Sequence, residues 1–392
     1  MTAVAAPVET DEAVLLERIA DAGSRVLAPH AESVDKRGRF PTEGVDELRR
    51  LRLMGAAAPV QAGGLGLDPA ALARVGTAIA RHCGATGMIW AMSQLQLACL
   101  VGFGGPAHDR YVTDVCASQH LIASVTSEVS TGGNMRRSDA AAVPDGDGAI
   151  AFRKDATTVS YGAQADSLLV TLRRSDTAEP TDQVLLLARR DQITLTPTGT
   201  WDTLGMRGTC SPPFQLTGRV PTDQLLPVPF GDIAAACMVP LSHLLWAAVW
   251  LGIAEDAFRR ATAAATGRAR RAAGRAGGPV GDPRLAQVHT DLQTLRCVVA
   301  GFGDRYTHTD PAGRSGPGMA VEANTVKLAA SDLALRVVLG ALDVCGIDGY
   351  RETGELSVAR QLRDICSARL MISNHTLLTL NSELLMLTRR QS

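Results

Sequence analysis

TWDTLGMRGTCS, residues 200–211, lies near the end of a region of strand-like periodicity. Read alone it is a loop, because Gly205, Gly208 and the small hydroxyl residues break any regular apolar spacing. Upstream, LIASVT, AIAF, SLLVTL and QVLLLA are short apolar or alternating runs parted by Pro, Asp and Gly clusters, which is how strands bounded by turns read. Further upstream the apolar residues recur at helical spacing: Leu15, Ile19, Ala22 and Val26, then Val45, Leu48, Leu51 and Leu53. Thr42, followed by Asp46 and Glu47, has the composition of a helix start, and Gly63, Gly64 and Gly66 mark a turn between helices. After Pro229 the helical period resumes, interrupted by Pro and Gly at 273–283 and 311–318. The expected class is therefore α+β and multidomain, with a helical unit over 1–119, a β unit over 120–225 and a second helical unit over 226–392.

At 392 residues the chain exceeds the roughly 250–300 at which one core stops growing, which fits such a division. Hydrophobic residues at 46% against 20% charged exclude disorder as the main state. Lys+Arg (39) and Asp+Glu (40) nearly cancel, so no global field draws the chain to nucleic acid or to an anionic membrane, and neither is an expected partner. The eight cysteines are scattered with no CxxC pair, which argues against a disulfide framework or a zinc site. Two uncharged stretches, Cys83 to Ala107 and Ile233 to Ala254, have the length of a bilayer span. Ser93, Gln94 and Gln96 in the first and Pro240, Ser242 and His243 in the second make both read as buried helix. The N-terminal MTAVAAPVETDEAV lacks a basic segment followed by an apolar run, so a cytoplasmic location is expected. Phosphate-loop, dinucleotide-fold, GxSxG and HExxH motifs are absent, and GFGGPA at 102–107 reads as a helix-terminating turn.

Two more stretches bear on chemistry. SVTSEVSTGGN, 124–134, places small hydroxyl residues and a Gly pair directly after a strand, where backbone N–H groups can approach a flat or anionic ligand. ATTVSYGAQAD, 156–166, reads as a turn after a strand. In order and spacing these two stretches and 200–211 together resemble the middle domain of the acyl-CoA dehydrogenase superfamily. The layout resembles that family's N-terminal α-helical domain, central β-domain and C-terminal four-helix bundle. The resemblance implies FAD lying along Val125, Thr126, Ser127, Gly132 and Gly133 of the first stretch and Thr158, Val159 and Ser160 of the second. Thr158 stands where the family has an aromatic residue. Trp201, Leu204, Gly205, Met206, Arg207, Thr209 and Ser211 make the third stretch the most specific match. Near the C-terminus, Gly346 and Gly349 match a turn that meets the flavin of a neighbouring subunit, and Arg363 and Asp364 match a pair that ties helix ends together. Arg268, Arg270, Arg271 and Arg275 lie where the family places an arginine on the FAD pyrophosphate. A homodimer or homotetramer is implied.

The departure concerns the catalytic base, a Glu in the family that takes the α-proton of an acyl thioester while hydride passes to flavin. Its two known locations fall here at Ile372 and Ser242, and the nearest titratable side chains are His375 and His243. Three readings follow from the resemblance. The chain is a flavin-dependent oxidoreductase of specialised metabolism, acting on a thioester of CoA or of an acyl carrier protein and passing electrons to an electron-transfer flavoprotein. Alternatively it is a monooxygenase that takes reduced flavin from a flavin reductase, as the stretch RRAAGRAGGPVGDPRLAQ at 270–287 suggests. Alternatively it is a catalytically silent member of the fold.

Overall fold

The computed structural model describes residues 12–388 except Gly133 and 274–280. Among the described residues six α-helices come first: α1 (Glu12–Ala22), α2 (Ala28–Arg37), α3 (Thr42–Arg50), α4 (Pro69–Ala80), α5 (Gly84–Phe103) and α6 (Pro106–Ser118). Seven strands follow: β1 (Ile122–Val125), β2 (Val143–Pro144), β3 (Ala149–Ala156), β4 (Ser167–Arg173), β5 (Gln183–Arg189), β6 (Ile193–Pro197) and β7 (Phe214–Pro221). The remainder is helical: α7 (Phe230–Ile233), α8 (Val239–Ala273), α9 (Pro283–His308), α10 (Pro311–Arg314), α11 (Pro317–Cys345), α12 (Ile347–Tyr350), α13 (Ala359–Cys366) and α14 (Asn374–Thr388). The Pro and Gly clusters do start helices. Proline opens α4, α6, α9, α10 and α11, where its missing N–H costs no hydrogen bond, and Asp68 and Asp282 cap α4 and α9 through their carboxylates.

The strands form two sheets, a three-stranded one in the order β1-β4-β5 and a four-stranded antiparallel one in the order β2-β3-β7-β6. β4 and β5 are buried over all but their final arginines, as their unbroken apolar runs require, whereas β6 alternates toward solvent. β1 pairs in parallel with β4 and packs on α5, so the end of β1 opens beside a helix of the first unit. Both uncharged stretches are helical and mostly buried inside the protein. α8 packs on α9 and α11, and also receives α4 and α5, which gives the two helical units one continuous core. The α4–α8 crossing is close because Gly252 carries no side chain, and the Thr77 hydroxyl donates across it to Ala248 O at 3.0 Å.

The loop at 200–211 ties the β unit to the last helices. Asp364 on α13 accepts a hydrogen bond from Met206 N at 2.7 Å, and Gly205 lies so near the Arg363 carbonyl that an added Cβ would overlap it. Arg363 itself is paired with Asp35 and Glu352, so the Arg-Asp pair is spent on docking these elements together. A Gly205→Ala substitution must push loop and helix apart. Denaturant unfolding is expected to register a loss of about 2–3 kcal/mol, against no comparable loss for Gly231→Ala, an exposed helical position outside the left-handed region with open space around it.

Candidate functional site

The three stretches singled out in the sequence are hydrogen-bonded into one surface. Ser127 Oγ donates to Thr158 O at 2.9 Å and accepts from Thr158 N at 3.2 Å, which joins the first stretch to the second. Tyr161 N donates to Thr209 O at 2.8 Å, and Ser211 Oγ donates to Ser160 Oγ at 2.9 Å, which joins the second to the third. Glu128 points into the β unit. Its carboxylate accepts from the backbone N–H groups of Asp139 and Ala140 and from the Ser138 hydroxyl, and pairs with the buried Lys154 at 3.2 Å. Lys154 also donates to Thr171 O at 2.7 Å, and Thr171 Oγ1 donates to Val125 O. Burial drives the Lys154 pKa down while Glu128 pulls it back. Glu128 is thus a structural anchor for the turn that presents Ser127.

This surface forms one side of a cavity of about 210 Å³. Ser124, Thr126, Ser127, Thr158, Ser160 and Tyr161 line it from the β unit, Met92, Leu95 and Gln96 from α5, and Met238, Val239, Ser242 and Trp246 from the start of α8 and the turn before it. Met135 and Ile372 complete the wall. Ser242 and Ile372, the two positions where the resemblance locates a base, therefore reach one cavity from separate parts of the chain. Among all the lining residues there is no Asp, Glu, His, Lys or Arg. The Ser242 hydroxyl donates to Val239 O at 2.8 Å, and Tyr161, whose hydroxyl donates to Ile122 O, has its pKa raised by burial.

Neither histidine lines this cavity. His243 is fully buried, makes no hydrogen bond through either ring nitrogen, and packs beside Trp246 with ring centroids 5.9 Å apart. Burial, helped by the nearby Lys327 cation, pushes its pKa down to about 3, with a weak opposing pull from the Ala323 backbone. His375 lies exposed on α14. The geometry brings neither of the two expected bases to the cavity: His243 is sealed in the core and His375 faces solvent.

The other expected positions divide in two. The Val125 and Val159 side chains are buried, leaving only their backbone to face a ligand, and Gly132 adopts a left-handed turn with open space around it. Gly133 and Arg275 lie outside the described residues. Gly346 ends α11 at φ +62° in a separate cleft with Arg268, Arg271 and Arg284, which shares no lining residue with the cavity. Arg268 donates to Val344 O at 2.7 Å and, with Arg284, holds Asp282 at 2.9 Å, which keeps the Asp282 pKa down at about 2. Arg270 is exposed and does not line the cleft.

Three residues at or behind the cavity wall escaped the sequence reading as site residues: Gln96, Trp246 and Lys327. The signal for Gln96 was its place in an otherwise apolar helix, and for Lys327 its rarity, as one of three lysines. Lys327 is buried and donates at 2.6 Å to both Ile372 O and Asn374 Oδ1, with its Nζ 5.8 Å from the Trp250 ring centre. It thereby clamps Ile372, a β-branched residue held at φ +53°. Such a backbone is strained.

The Acyl-CoA dehydrogenase N-terminal domain profile matches residues 9–119, and the corresponding C-terminal domain profile matches residues 238–371. YngJ of Bacillus subtilis, described as a "Probable acyl-CoA dehydrogenase", is 26% identical over 359 residues, covering 90% of this chain and 92% of that protein. The L-evernosamine nitrososynthase of a Micromonospora species is 27% identical over 387 residues, covering 92% and 86%. The crystal structure of FMN-bound TdsC from Paenibacillus sp. A11-2 superposes with a TM-score of 0.82 at 21% identity, covering 93% and 95%.

Two outcomes are expected from this geometry. Because His243 stays neutral in the fold while it takes a proton when unfolded, stability falls as pH drops from 6.5 toward 3. The loss between pH 7 and pH 5 should be about 2 kcal/mol larger in the native chain than in His243→Phe, measured by denaturant titration. Asp364, raised by burial to about 6, contributes the opposite slope in both proteins and cancels from that comparison. At the strained turn, Ile372→Gly should be more stable than Ile372→Ala by about 1 kcal/mol, the reverse of their usual order. With both domain profiles matched and relatives aligned over nine-tenths of its length, the chain belongs to the acyl-CoA dehydrogenase family.

Proposed function

We propose that this chain is a flavin-dependent monooxygenase that oxidises a small neutral substrate in the cavity between the β unit and α8. The observation that carries the reading is the absence of any carboxylate, imidazole, amine or guanidinium among the cavity-lining residues. α-Proton abstraction from a thioester needs a base within hydrogen-bond reach, and oxygen insertion does not. The kinship with a nitrososynthase and the fold shared with TdsC, a dibenzothiophene monooxygenase, support the same choice.

The flavin ring would lie against Thr126, Ser127, Thr158 and Ser160, with Gly132 and the backbone of Val125 and Val159 beside it. The free lone pairs and backbone groups of this hydroxyl-lined surface fit a flat polar ring. FAD is the cofactor implied by the family, and a mononucleotide would need the same ring contacts. When bound and reduced, the flavin supplies the electrons that activate dioxygen. The protein's part is to hold the ring, exclude water with methionine and leucine side chains, and orient the substrate. Gly346, Arg268 and Arg271 would meet the cofactor's phosphate tail from a second copy of the chain. The exposed Ile347 and Tyr350 beside Gly346 fit burial in a homodimer or homotetramer. A separate flavin reductase is the electron donor in this reading.

A second reading, dehydrogenation of an acyl thioester on CoA or a carrier protein, is favoured by the kinship with YngJ. The two are separated by adding saturated acyl-CoA of short to long chain anaerobically to the flavin-loaded protein. Retention of the oxidised flavin spectrum with every acyl-CoA, together with rapid reoxidation by oxygenated buffer after chemical reduction, is expected. Bleaching by any acyl-CoA would overturn the monooxygenase reading in favour of the second.

A further inference from the structure

Seven described non-glycine residues lie at positive φ, and Ile372 is the one β-branched residue among them. Branching at Cβ makes that region especially unfavourable, so the conformation persists only where neighbours dictate it. Lys327, fully buried on α11, is the neighbour that does. Its Nζ donates to Ile372 O and to Asn374 Oδ1, both at 2.6 Å, and so grips the turn before α14 on either side of Ser373. Asn374 is tied back to α11 a second time, through Nδ2 to Ser331 Oγ at 3.0 Å. The other buried lysine, Lys154, has a carboxylate partner in Glu128, whereas both acceptors of Lys327 are neutral. Asp332, the carboxylate that acts on Lys327 from the same helix, is paired with Arg369 at 3.5 Å. A methionine at 327 would avoid burying a charge, and a glycine at 372 would avoid the strain. The two unfavourable choices meet in one contact, and the strained member of it lines the cavity.

Resting on the reading of this cavity as the flavin site, we infer that Lys327 is a positioning residue: it forces the turn before α14 to present Ile372 to the cavity, so that the flavin ring meets hydrocarbon where a relaxed turn would admit water. The bonds within the turn do not secure it. Leu370 N and Met371 N both donate to Ser367 O at 3.0 Å, and Leu377 N donates to Ser373 O at 3.1 Å, all within the same short segment. The tie from Ile372 to another element is the one that Lys327 supplies. Lys327 itself does not line the cavity, so its influence on a bound ring passes through Ile372. Keeping water from a reactive ring is a recognised use of such packing, and backbone strain held by an over-determined contact is a recognised means of achieving it. Glycine takes positive φ without strain, so in Ile372→Gly the clamp has no conformation left to enforce.

Two measurements on the full chain test this, and the first needs no flavin. In hydrogen–deuterium exchange read by mass spectrometry, Lys327→Met should speed exchange at least about tenfold in peptides covering 370–377 while α5 and α8 keep native rates. In titrations with FMN and with FAD, the same variant should bind both at least about fivefold more weakly, and the visible band of the bound flavin should lose the shoulders that a ring out of water shows. In the Ile372→Gly background, Lys327→Met should change either quantity by less than about twofold. An effect of the lysine's charge alone would persist in that background, and a general packing role would spread faster exchange through α8. Either result, or unchanged exchange at 370–377, would overturn the inference. Should Lys327→Met not fold, Lys327→Gln, which keeps an N–H donor on a shorter stem, should show the same pattern at about threefold or more. Failure of the native chain to bind FMN and FAD would remove the flavin reading and this inference with it, whereas native binding that Lys327→Met leaves intact would remove the inference alone.

Discussion

The docking of the 200–211 loop onto α13 is the constraint from which the site is built. Asp364 is buried, and burial, with the Asp35 charge adding to it, raises its pKa to about 6 against the pull of Arg360, the Met206 N–H and Arg363, so the Met206 N–H bond it receives compensates part of a costly desolvation. From Met206 the connection runs outward through named contacts. The Met206 carbonyl accepts from Trp201 Nε1 and from Thr209 Oγ1, Thr209 shares a hydrogen bond with Ser211, and Ser211 donates to Ser160. Ser127 grips Thr158 two residues before Ser160, and Glu128 with Lys154 roots Ser127 in the sheet. A helix of the last unit thus positions the end of β1 through an unbroken series of short-range bonds. Removing one member leaves its neighbours buried and unpaired, which is why the three stretches occur together in the sequence.

The fold was legible because its signals are local. The four short apolar or alternating runs became β1, β3, β4 and β5, period-3.6 runs became the helices, and prolines fell on first turns. The three stretches that form the hydroxyl-lined surface were legible as a set, since hydroxyl residues after a strand mean little singly and much in a fixed order. The opposite wall was not legible. Apart from Ser242 and Ile372, which the family resemblance marked, its residues such as Gln96 and Trp246 lie far apart in sequence and meet only when α5 and α8 are packed. His243 misled because a titratable side chain beside an expected base position says nothing about which way it faces on α8. Ser242 opens on the cavity and His243, the next residue, is turned into the core.

Backbone strain follows the same map. Of the seven described non-glycine residues at positive φ, Tyr161, Met206, Cys210 and Ile372 belong to the three stretches or the cavity wall. Each costs of order 1–3 kcal/mol unless its surroundings dictate it, and three of the four are held by a named contact. Tyr161 is fixed by its hydroxyl on Ile122 O, Met206 by Asp364, and Ile372 by Lys327. A buried ammonium is an expensive clamp, and its pKa falls to about 8 for that reason. Its acceptors are neutral, Ile372 O and Asn374 Oδ1, with Asn374 Nδ2 in turn donating to Ser331 Oγ at 3.0 Å. The cation therefore fixes the cavity wall without adding an acidic partner near the cavity.

A carboxylate at position 242 or 372 would sit among methionine, leucine and tryptophan side chains, where desolvation raises its pKa and makes it a competent base near neutral pH. The walls suited to such a base are present, and the groups they surround are a serine hydroxyl committed to Val239 O and an isoleucine. No lining side chain changes protonation between the carboxylate and phenol ranges. Any ionisation that governs chemistry in this cavity over that span must then come from the cofactor, the substrate or water, and the protein's influence on it is exerted through packing, through neutral hydrogen bonds and through the order in which water leaves.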